Sequence, residues 1–248
     1  MSHALGIDFG GTGIKGGMVD CESGHLVSER IKYDTPAGAH PNDVLDTVTQ
    51  IIADIGGDGS DPLGICYPGV VSHGVTQSAA NVSLEWIGFE AQKVFEEKLQ
   101  RTLVFVNDAD AAAFAEVKFG AAQGLEGLGM MITLGTGIGT SLIYQGEIIP
   151  NTELGHLQLD GSDAELSVAN SAREREGLSF DVWAKRLTRY FSHLEKLFSP
   201  DVFIIGGGVS KQHEEFFPLI DIQTPCVPAR LLNNAGIVGS ALYAVDHH

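Results

Sequence analysis

The chain has 248 residues, 44% of them hydrophobic and 19% charged, and its formal net charge is −17. This length and composition are typical of a globular protein with one large core or two smaller ones, and they exclude an intrinsically disordered chain. The negative charge argues against broad nucleic-acid binding, which requires a basic face, and no apolar run approaches the ~20 residues that a membrane-spanning helix needs.

Alternating apolar patterns in the first half of the chain predict strands and helices in turn. The predicted strands cover residues 4–9, 18–19, 26–33, 63–66 and 102–106. A helix is predicted at residues 41–55 because its apolar residues fall on one face, and Gly56 and Gly57 end it. A second helix is predicted at residues 89–99.

A second round of elements follows in the other half of the chain. The predicted helices cover residues 109–119, 179–198 and 234–245, and the predicted strands cover residues 130–134, 141–143 and 201–205. The longest helix carries an apolar stripe that we expect in the core, formed by Phe180, Trp183, Leu187, Tyr190, Phe191, Leu194 and Leu197. The alternation of strands and helices predicts an α/β fold with mixed sheets.

Two glycine-rich segments, residues 8–15 and 133–140, resemble each other. Each lies between two predicted strands, and the backbone N–H groups of such a turn can bind an oxyanion. Two of these turns half a chain apart predict a duplicated unit that clamps one polyphosphate between two domains, as in a phosphotransferase. We expect a small N-terminal domain over residues 1–107, with the C-terminal helix of 234–248 packing back on it, and a large domain over residues 108–233.

Residues 11–16 also match the dinucleotide-binding pattern G-x-G-x-x-G. That motif must open a helix whose N-terminus holds the pyrophosphate, whereas residues 16–19 make a poor helix start and residues 20–24 predict a hairpin turn. Asp8 precedes the glycines and is in the wrong place to bind a ribose. It is well placed to hold a hydrated magnesium ion beside a phosphate. We therefore reject a dinucleotide site.

Asn107 and Asp108 end a buried strand at the predicted domain crossover, where ligands commonly bind in α/β proteins. A carboxylate there can accept the proton of a hydroxyl that attacks phosphorus, and phosphoryl transfer needs little more than this, charge stabilisation and in-line placement. The alternative is that Asp108 only caps the helix that follows it. The spacing alone leaves both interpretations open.

Further polar residues follow the second glycine segment. Glu153 and His156 are held close together by Gly155, and an acceptor beside a donor suits the vicinal hydroxyls of a sugar. A lone histidine is more often structural. The cations cluster at Arg173, Arg175, Lys185, Arg186 and Arg189, which form either a solvated helix face or a path for a phosphate chain.

The three cysteines, at positions 21, 66 and 226, have no metal-ligand spacing. Isolated cysteines of this kind are typical of small core residues in a reducing compartment. The start of the chain lacks a basic region and leads directly into the first predicted strand, so we expect no signal peptide and a cytoplasmic protein.

Taken together, these residues resemble the ROK family of sugar kinases (repressor, open reading frame, kinase) within the actin-like ATPase superfamily. The resemblance covers nearly the whole chain and implies a ribonuclease H-like fold with two domains around a central cleft. It implies Asp108 as the catalytic base and sugar binding by Asn107, Asp108, Glu153 and His156. Residues 201–210 resemble the family's nucleotide-side glycine motif. The phosphate-binding residues that the resemblance implies are Gly10, Gly11, Thr12, Gly13, Lys15, Gly135, Thr136, Gly137, Gly207 and Gly208.

One segment departs from the family pattern. Many ROK proteins continue after the Glu-x-Gly-His with a cysteine-rich zinc motif, in which that histidine is also a ligand. Residues 157–165 contain no cysteine, and since zinc needs about four ligands we predict no structural zinc. This replacement, residues 180–184 and the tail at 225–239 resemble one branch of the family, the polyphosphate glucokinases. In that branch Glu165 takes the place of a second sugar-binding glutamate.

The resemblance therefore implies a cytoplasmic glucokinase that transfers a phosphoryl group from polyphosphate, and from ATP, to the 6-hydroxyl of glucose. It implies Mg²⁺ positioned by Asp8 and a homodimer, with no nucleic-acid or membrane partner. One alternative is an ATP-only ROK hexokinase acting on glucose, mannose, fructose or an N-acetylhexosamine, which the charge of −17 mildly favours. Another is a sugar-sensing ROK repressor, which is disfavoured because only seven residues precede Asp8 and both glycine loops are intact.

Overall fold

The computed structural model describes residues 3–56 and 59–247. The strands are β1 His3–Phe9, β2 Gly13–Asp20, β3 Ile31–Asp34, β4 Leu63–Tyr67, β5 Val71–Ser72, β6 Val75–Thr76, β7 Val104–Asn107, β8 Leu128–Leu134, β9 Ile138–Tyr144, β10 Glu147–Thr152, β11 Gln158–Leu159, β12 Ser162–Asp163, β13 Val202–Gly206 and β14 Cys226–Pro228. The helices are α1 Pro41–Ile55, α2 Ala91–Leu99, α3 Asp108–Phe119, α4 Glu165–Val168, α5 Asn170–Arg175, α6 Phe180–Phe198, α7 His213–Phe216 and α8 Ala235–His247.

The described chain divides into two compact units. The first contains the residues up to Ala115 together with α8, and the second runs from Glu116 to Asn233. The sequence prediction draws the border between Asn107 and Asp108, whereas the division of the structure falls inside α3. Because α3 continues from β7 without a loop, no linker in the sequence marks this border.

Each unit contains one five-stranded mixed sheet, and the two sheets repeat the same order. The first is β3-β2-β1-β4-β7, and the second is β10-β9-β8-β13-β14. In each sheet the central strand, β1 or β8, pairs antiparallel with the strand that follows it in the chain, β2 or β9. On its other side it pairs parallel with β4 or β13. The α/β fold with mixed sheets is confirmed, and the repeated order agrees with the duplication that the two glycine segments predict.

In the first unit, α8 lies directly against the sheet because the contact positions are glycines. A Cβ atom at Gly6 or Gly64 would overlap a backbone carbonyl oxygen of α8, that of Ile237 or Ser240. The same helix approaches α3 at Gly239, where a Cβ atom would overlap the carbonyl oxygen of Ala111. The sheet and both helices are therefore in contact backbone to backbone.

Aromatic side chains fill the rest of the first core. Trp86 is fully buried, and its Nε1–H donates to the carbonyl of Ala39 at 2.8 Å. Phe9 and Tyr67 pack against its ring with centroids 5.5 and 5.0 Å away, and Phe95 lies at 6.2 Å. Burying an aromatic indole with its N–H satisfied combines a large apolar contribution with no unpaired donor.

The second core forms where α6 covers its sheet. Five members of the predicted apolar stripe are fully buried, namely Trp183, Leu187, Tyr190, Phe191 and Leu194. Leu197 is a wrong member of that stripe, since it is 54% exposed in the last turn of the helix. Among residues 3–56 and 59–247, no helix has the length and apolarity that crossing a bilayer requires.

Several predicted boundaries are corrected. The strand predicted at 26–33 begins only at Ile31, because the Ser28 hydroxyl accepts the Met18 N–H at 2.9 Å and Leu26 forms only an isolated bridge with Val19. The helix predicted from residue 89 begins at Ala91. At the end of α1, Gly56 has a φ of 78° and donates its N–H to Ile52, as its stop signal predicts. Gly57 lies outside the described residues.

We expect Gly64→Ala to destabilise the protein, because its Cβ atom must displace the backbone of α8 at Ser240. Overpacking of this kind lowers the free energy of unfolding by about 1–3 kcal/mol or more. Urea unfolding followed by circular dichroism measures the change. Gly208→Ala is the matched control, since nothing lies within 4 Å of its Cβ position. Equal stability of the two variants would contradict the backbone contact.

Candidate functional site

In the first unit, predicted site residues lie along one edge of the sheet. The strands β1, β4 and β7 are parallel, and the register pairs Asp8 with Cys66 and Tyr67 with Asn107 near their carboxyl ends. Burial raises the pKa of the Cys66 thiol well above its usual value, and the charges of Asp8 and Asp108 raise it further. Both carboxylates thus act on the same thiol, which stays neutral. The carboxyl edge of parallel strands is the usual ligand edge of an α/β sheet.

Lys15 is directed towards Asp8. The two residues are opposite each other in the β1–β2 register, and Lys15 Nζ donates to Asp8 Oδ2 at 3.0 Å. The Cys66 thiol donates to the other oxygen, Oδ1, at 3.5 Å. The predicted magnesium ligand and one predicted phosphate ligand therefore form an ion pair, with both side chains largely buried.

The first glycine loop is braced by the chain that follows β3. Within the loop, the Gly10 N–H donates to the Gly13 carbonyl at 3.1 Å. From outside it, the Thr35 hydroxyl donates to the Gly10 carbonyl at 2.6 Å. Gly11 and Thr12 at the tip are exposed. Beside the tip lies a cavity of about 350 Å³, lined by Gly11, residues 35–39 and residues 81–83.

Asn107 and Asp108 have different tasks at the start of α3. The side-chain oxygen of Asn107 accepts the N–H groups of Ala109 and Asp110 at 2.8 and 3.0 Å, and its amide donates to the Gly69 carbonyl at 3.0 Å. Asn107 is thus the buried N-cap of the helix. Asp108 is the first helical residue, is half-buried, and accepts the Ala109 N–H at 2.8 Å through Oδ1. Asp108 is therefore not needed to cap the helix.

In the second unit, the second glycine loop borders a cavity of about 340 Å³. The Ser171 hydroxyl donates to the Thr136 carbonyl at 2.6 Å, which fixes the loop against the start of α5. The cavity is lined by the loop, by α5 and by the turn that follows β13, and the lining residues are Leu134, Gly135, Thr136, Asn170, Ser171, Arg173, Glu174, Gly208, Val209 and Gln212.

Two glycines that were predicted to bind phosphate, Gly137 and Gly207, lie against other groups of this unit instead. Gly137 faces Glu165, because a Cβ atom there would lie 2.5 Å from Glu165 Oε2. Gly207 has a φ of 86°, and a Cβ atom there would overlap the Leu134 carbonyl. Gly207 thus allows the chain to turn sharply after β13 beside β8, and of these two neighbouring glycines Gly208 is the one that lines the cavity.

The predicted sugar-binding residues of the second unit lie together. His156 Nδ1 is 2.9 Å from Asp163 Oδ2 and 3.9 Å from Glu165 Oε1. Glu165 also accepts the Ile138 N–H at 3.2 Å, which ties it to the second glycine loop. Glu153 is close enough for its charge to act on His156. Three carboxylates and one imidazole therefore offer acceptors and a donor to a polyhydroxyl ligand.

The same contacts shift the pKa values of this group. The hydrogen bond from His156 to Asp163 raises the pKa of the imidazole, against a lowering by partial burial, and the charges of Glu165 and Glu153 raise it further. Burial raises the pKa of Glu153, the charge of His156 opposes this rise, and the charge of Glu165 adds to it. A protonated His156 is thus favoured beside its acidic neighbours.

Asp163 is a site residue that sequence reasoning missed. It lies in the segment that replaces the family's zinc motif, and the only feature that the sequence analysis used there was the lack of cysteine. The signal that could have found it is Asp160-Gly161, a dipeptide typical of a tight hairpin. The hairpin pairs Gln158 with Asp163 and so returns the chain to His156. In the described part of the chain, no group of three or more His, Cys, Asp or Glu side chains is arranged to hold a metal ion.

The predicted basic cluster does not act as one surface. Arg186 pairs with Glu176 at 2.6 Å, Arg175 pairs with the same carboxylate at 3.2 Å, and Arg189 binds Asp160 through both side-chain oxygens. Arg173 alone of the five lines the cavity at the second glycine loop. Its guanidinium lies 4.7 Å from the ring centre of Phe180, and its Nη2 is 3.6 Å from Glu174.

Comparison with known proteins gives consistent matches. The model of the ROK family matches residues 4–172. The polyphosphate glucokinase of Mycobacterium tuberculosis (strain CDC 1551 / Oshkosh) is 45% identical over 244 residues, which cover 98% of this chain and 91% of that protein. The polyphosphate glucokinase of Mycobacterium leprae is 44% identical over 97% of this chain and 74% of that protein.

Solved structures agree with these relatives. The inorganic polyphosphate/ATP-glucomannokinase of Arthrobacter sp. strain KM superposes with a TM-score of 0.96 at 45% identity, with both chains fully covered. A ROK family glucokinase of Streptomyces griseus shares the fold at a TM-score of 0.83 and 24% identity, over 98% of this chain and 99% of that chain. The predicted actin-like ATPase fold is confirmed.

We expect Asp163→Asn to lower the pKa of His156 towards the ordinary histidine value, since the substitution removes the carboxylate whose hydrogen bond raises this pKa most. Titration of the imidazole by NMR measures the shift. Asp181→Asn, which removes an equal charge at the exposed start of α6, is the matched control and should leave His156 unchanged. An unaltered titration in Asp163→Asn would show that this hydrogen bond does not set the protonation of His156.

Proposed function

The chain belongs to the ROK family, and we propose that it transfers a phosphoryl group from inorganic polyphosphate to the 6-hydroxyl of glucose, with Asp108 as the general base. The observation that carries the base assignment is the N-terminus of α3, where Asn107 caps the helix and Asp108 is not required for capping. The enzyme class rests on the 45% identity to polyphosphate glucokinases over nearly the whole chain.

Asp108 removes the proton of the 6-hydroxyl as this oxygen attacks phosphorus. Asp108 lies in the first turn of α3, where the positive end of the helix dipole favours a negatively charged group. Its Oδ1 accepts the adjacent Ala109 N–H at 2.8 Å. Proton removal by a positioned carboxylate is the main covalent task that the protein has in such a transfer, since the remaining work is placement and charge stabilisation.

Glu153, His156 and Glu165 bind hydroxyl groups of glucose. Their proximity to one another supports this role, since acceptors and a donor lie side by side. Asp163 orients His156 through the bond to Nδ1, which directs the other ring nitrogen away from it. Asn107 contributes less to the sugar, because its side-chain oxygen and one amide hydrogen are already engaged by α3 and Gly69.

The glycine loops bind phosphate, and Asp8 would hold Mg²⁺. The donor chemistry of Asp8 fits this ion: its oxygens are hard ligands, Mg²⁺ needs only one or two carboxylates beside substrate phosphates, and the neighbouring Cys66 stays a neutral thiol. When bound, Mg²⁺ neutralises charge on phosphoryl oxygens. Lys15 neutralises Asp8 in the structure described, and its ammonium would be available to phosphate only after leaving that carboxylate.

Polyphosphate is the donor that the full-length relatives favour, and ATP is a second donor by likeness to the Arthrobacter polyphosphate/ATP-glucomannokinase. An ATP-only hexokinase agrees less well with these relatives, and a repressor agrees least. The homodimer and the cytoplasmic location stay predictions that rest on the family resemblance.

We expect Asp108→Asn to lower kcat by about 100-fold or more, the usual scale for loss of a general base. The asparagine oxygen can still accept the Ala109 N–H, so the start of α3 is preserved. Glucose 6-phosphate formation from long-chain polyphosphate measures turnover, and calorimetry measures glucose binding, which we expect to persist. A variant that keeps most of its kcat would falsify the role of Asp108.

The cavity beside the second glycine loop supports donor binding by Arg173. Of the five clustered cations, three are engaged by Glu176 or Asp160, whereas Arg173 lines the cavity with Gly135 and Thr136. Stacking on Phe180 and the bond from Nε to Asn170 at 2.9 Å hold the guanidinium in place. A fixed guanidinium presents paired donors to phosphate oxygens.

We expect Arg173→Gln to raise the KM for polyphosphate by about tenfold, the factor that one charge-assisted hydrogen bond supplies. Arg189→Gln removes the same charge from a residue that binds Asp160, and it is the matched control. Initial rates at varied polyphosphate and saturating glucose distinguish the variants. An equal KM for polyphosphate in both variants would show that the whole cluster is only a solvated helix face.

A further inference from the structure

A second lysine lies beside the first glycine loop, on β3. The register pairs Asp8 with Lys15 across β1 and β2, and it pairs Lys15 with Lys32 across β2 and β3. Directly opposite residues of a sheet share one face. Asp8, Lys15 and Lys32 therefore form a row of charged side chains on the face where Asp8 and Lys15 bond.

The end of the Lys32 side chain leaves this row and lies over Gly13. A Cβ atom at Gly13 would be 2.7 Å from Lys32 Cε and 3.6 Å from Lys32 Nζ. The Cε methylene of Lys32 thus occupies the space that a side chain would fill at the end of the glycine loop, and the ammonium lies beside it. Gly13 is buried, whereas Lys32 is exposed.

The two lysines differ in whether a carboxylate engages them. Lys15 is neutralised by Asp8 at 3.0 Å. Within residues 3–56 and 59–247, no ion pair engages Lys32. The nearest acidic residue on its strand is Asp34, two positions further on and also exposed. Asp34 is directly opposite Gly13 in the β2–β3 register. Lys32 therefore brings to the loop backbone, beside this acidic residue, a positive charge that no ion pair in the described part of the chain engages, in a chain whose net charge is −17.

We propose that Lys32 binds the phosphate chain of the donor at the first glycine loop, contacting phosphoryl groups other than the one transferred. This inference deepens the proposed function and rests on it. An ammonium on a flexible stem is a compact point charge with three donors and no fixed orientation. Such a group suits a repetitive polyanion, in which any of several equivalent oxygens can be bound. Because it does not touch the transferred phosphoryl group, Lys32 affects donor binding more than turnover.

The test compares Lys32→Gln with Lys32→Arg and with Lys196→Gln, which removes one exposed positive charge from the last turn of α6. We expect Lys32→Gln to raise the KM for long-chain polyphosphate by about threefold to tenfold, with kcat and the KM for glucose nearly unchanged. Lys32→Arg should retain most of the wild-type affinity for polyphosphate. The KM of Lys32→Gln should also depend less steeply on salt, since one charge contact with the polyanion is lost.

The outcomes separate this inference from the proposed function. Wild-type protein that forms no glucose 6-phosphate from polyphosphate overturns the proposed function and this inference with it. An active wild type with an unchanged polyphosphate KM in Lys32→Gln overturns only the role of Lys32. An equal rise of KM in Lys196→Gln also overturns it, because the effect then reflects net charge. A loss of kcat without a change of KM does the same.

Discussion

The close backbone contact of α8 with β1 and β4 is the constraint on which the first unit depends. Glycines at 6 and 64 leave room for the helix carbonyl groups, so the helix lies nearer to the sheet than side chains would allow. Gly236 continues this contact to Asp8, whose Cγ would be 2.8 Å from a Cβ atom there. The position of the Asp8 carboxylate at the ligand edge is thus fixed by an element more than 200 residues later in the chain.

Although the chain is strongly acidic, the site carboxylates of each unit have cationic or neutral hydrogen-bonding partners close to them. In the first unit, Lys15 neutralises Asp8, and Asn107 supplies the helix cap with an uncharged amide. In the second unit, His156 lies between Asp163 and Glu165, and their charges favour its protonated form. Cations placed beside specific carboxylates and loops can hold an anionic substrate that the protein as a whole repels, because salt screens distant charges more than near ones.

The periodicity of apolar residues predicted the fold well, but it could not predict contacts between residues of different helices and strands. The helix at 41–55 was predicted to the residue because its apolar face, starting proline and terminal glycine agree. The strand at 26–33 was wrong because a serine side chain replaces a backbone partner there. The roles of Asp163 and Lys32 depend on a hairpin and on a strand register, neither of which the linear spacing of residues contains. Asp108 was ambiguous for the same reason, since only the structure identifies Asn107 as the cap.

The discontinuity of the first unit has a consequence for biosynthesis. The second unit is one continuous segment, whereas α8 completes the core of the first only after that segment has been made. On the ribosome, the glycine-lined face of β1 and β4 therefore waits without its covering helix while about 120 further residues are added, which takes on the order of ten seconds at ordinary elongation rates. During that interval the nascent sheet exposes the face that α8 later covers, so its protection by chaperones or by transient collapse becomes part of how this chain reaches its native state.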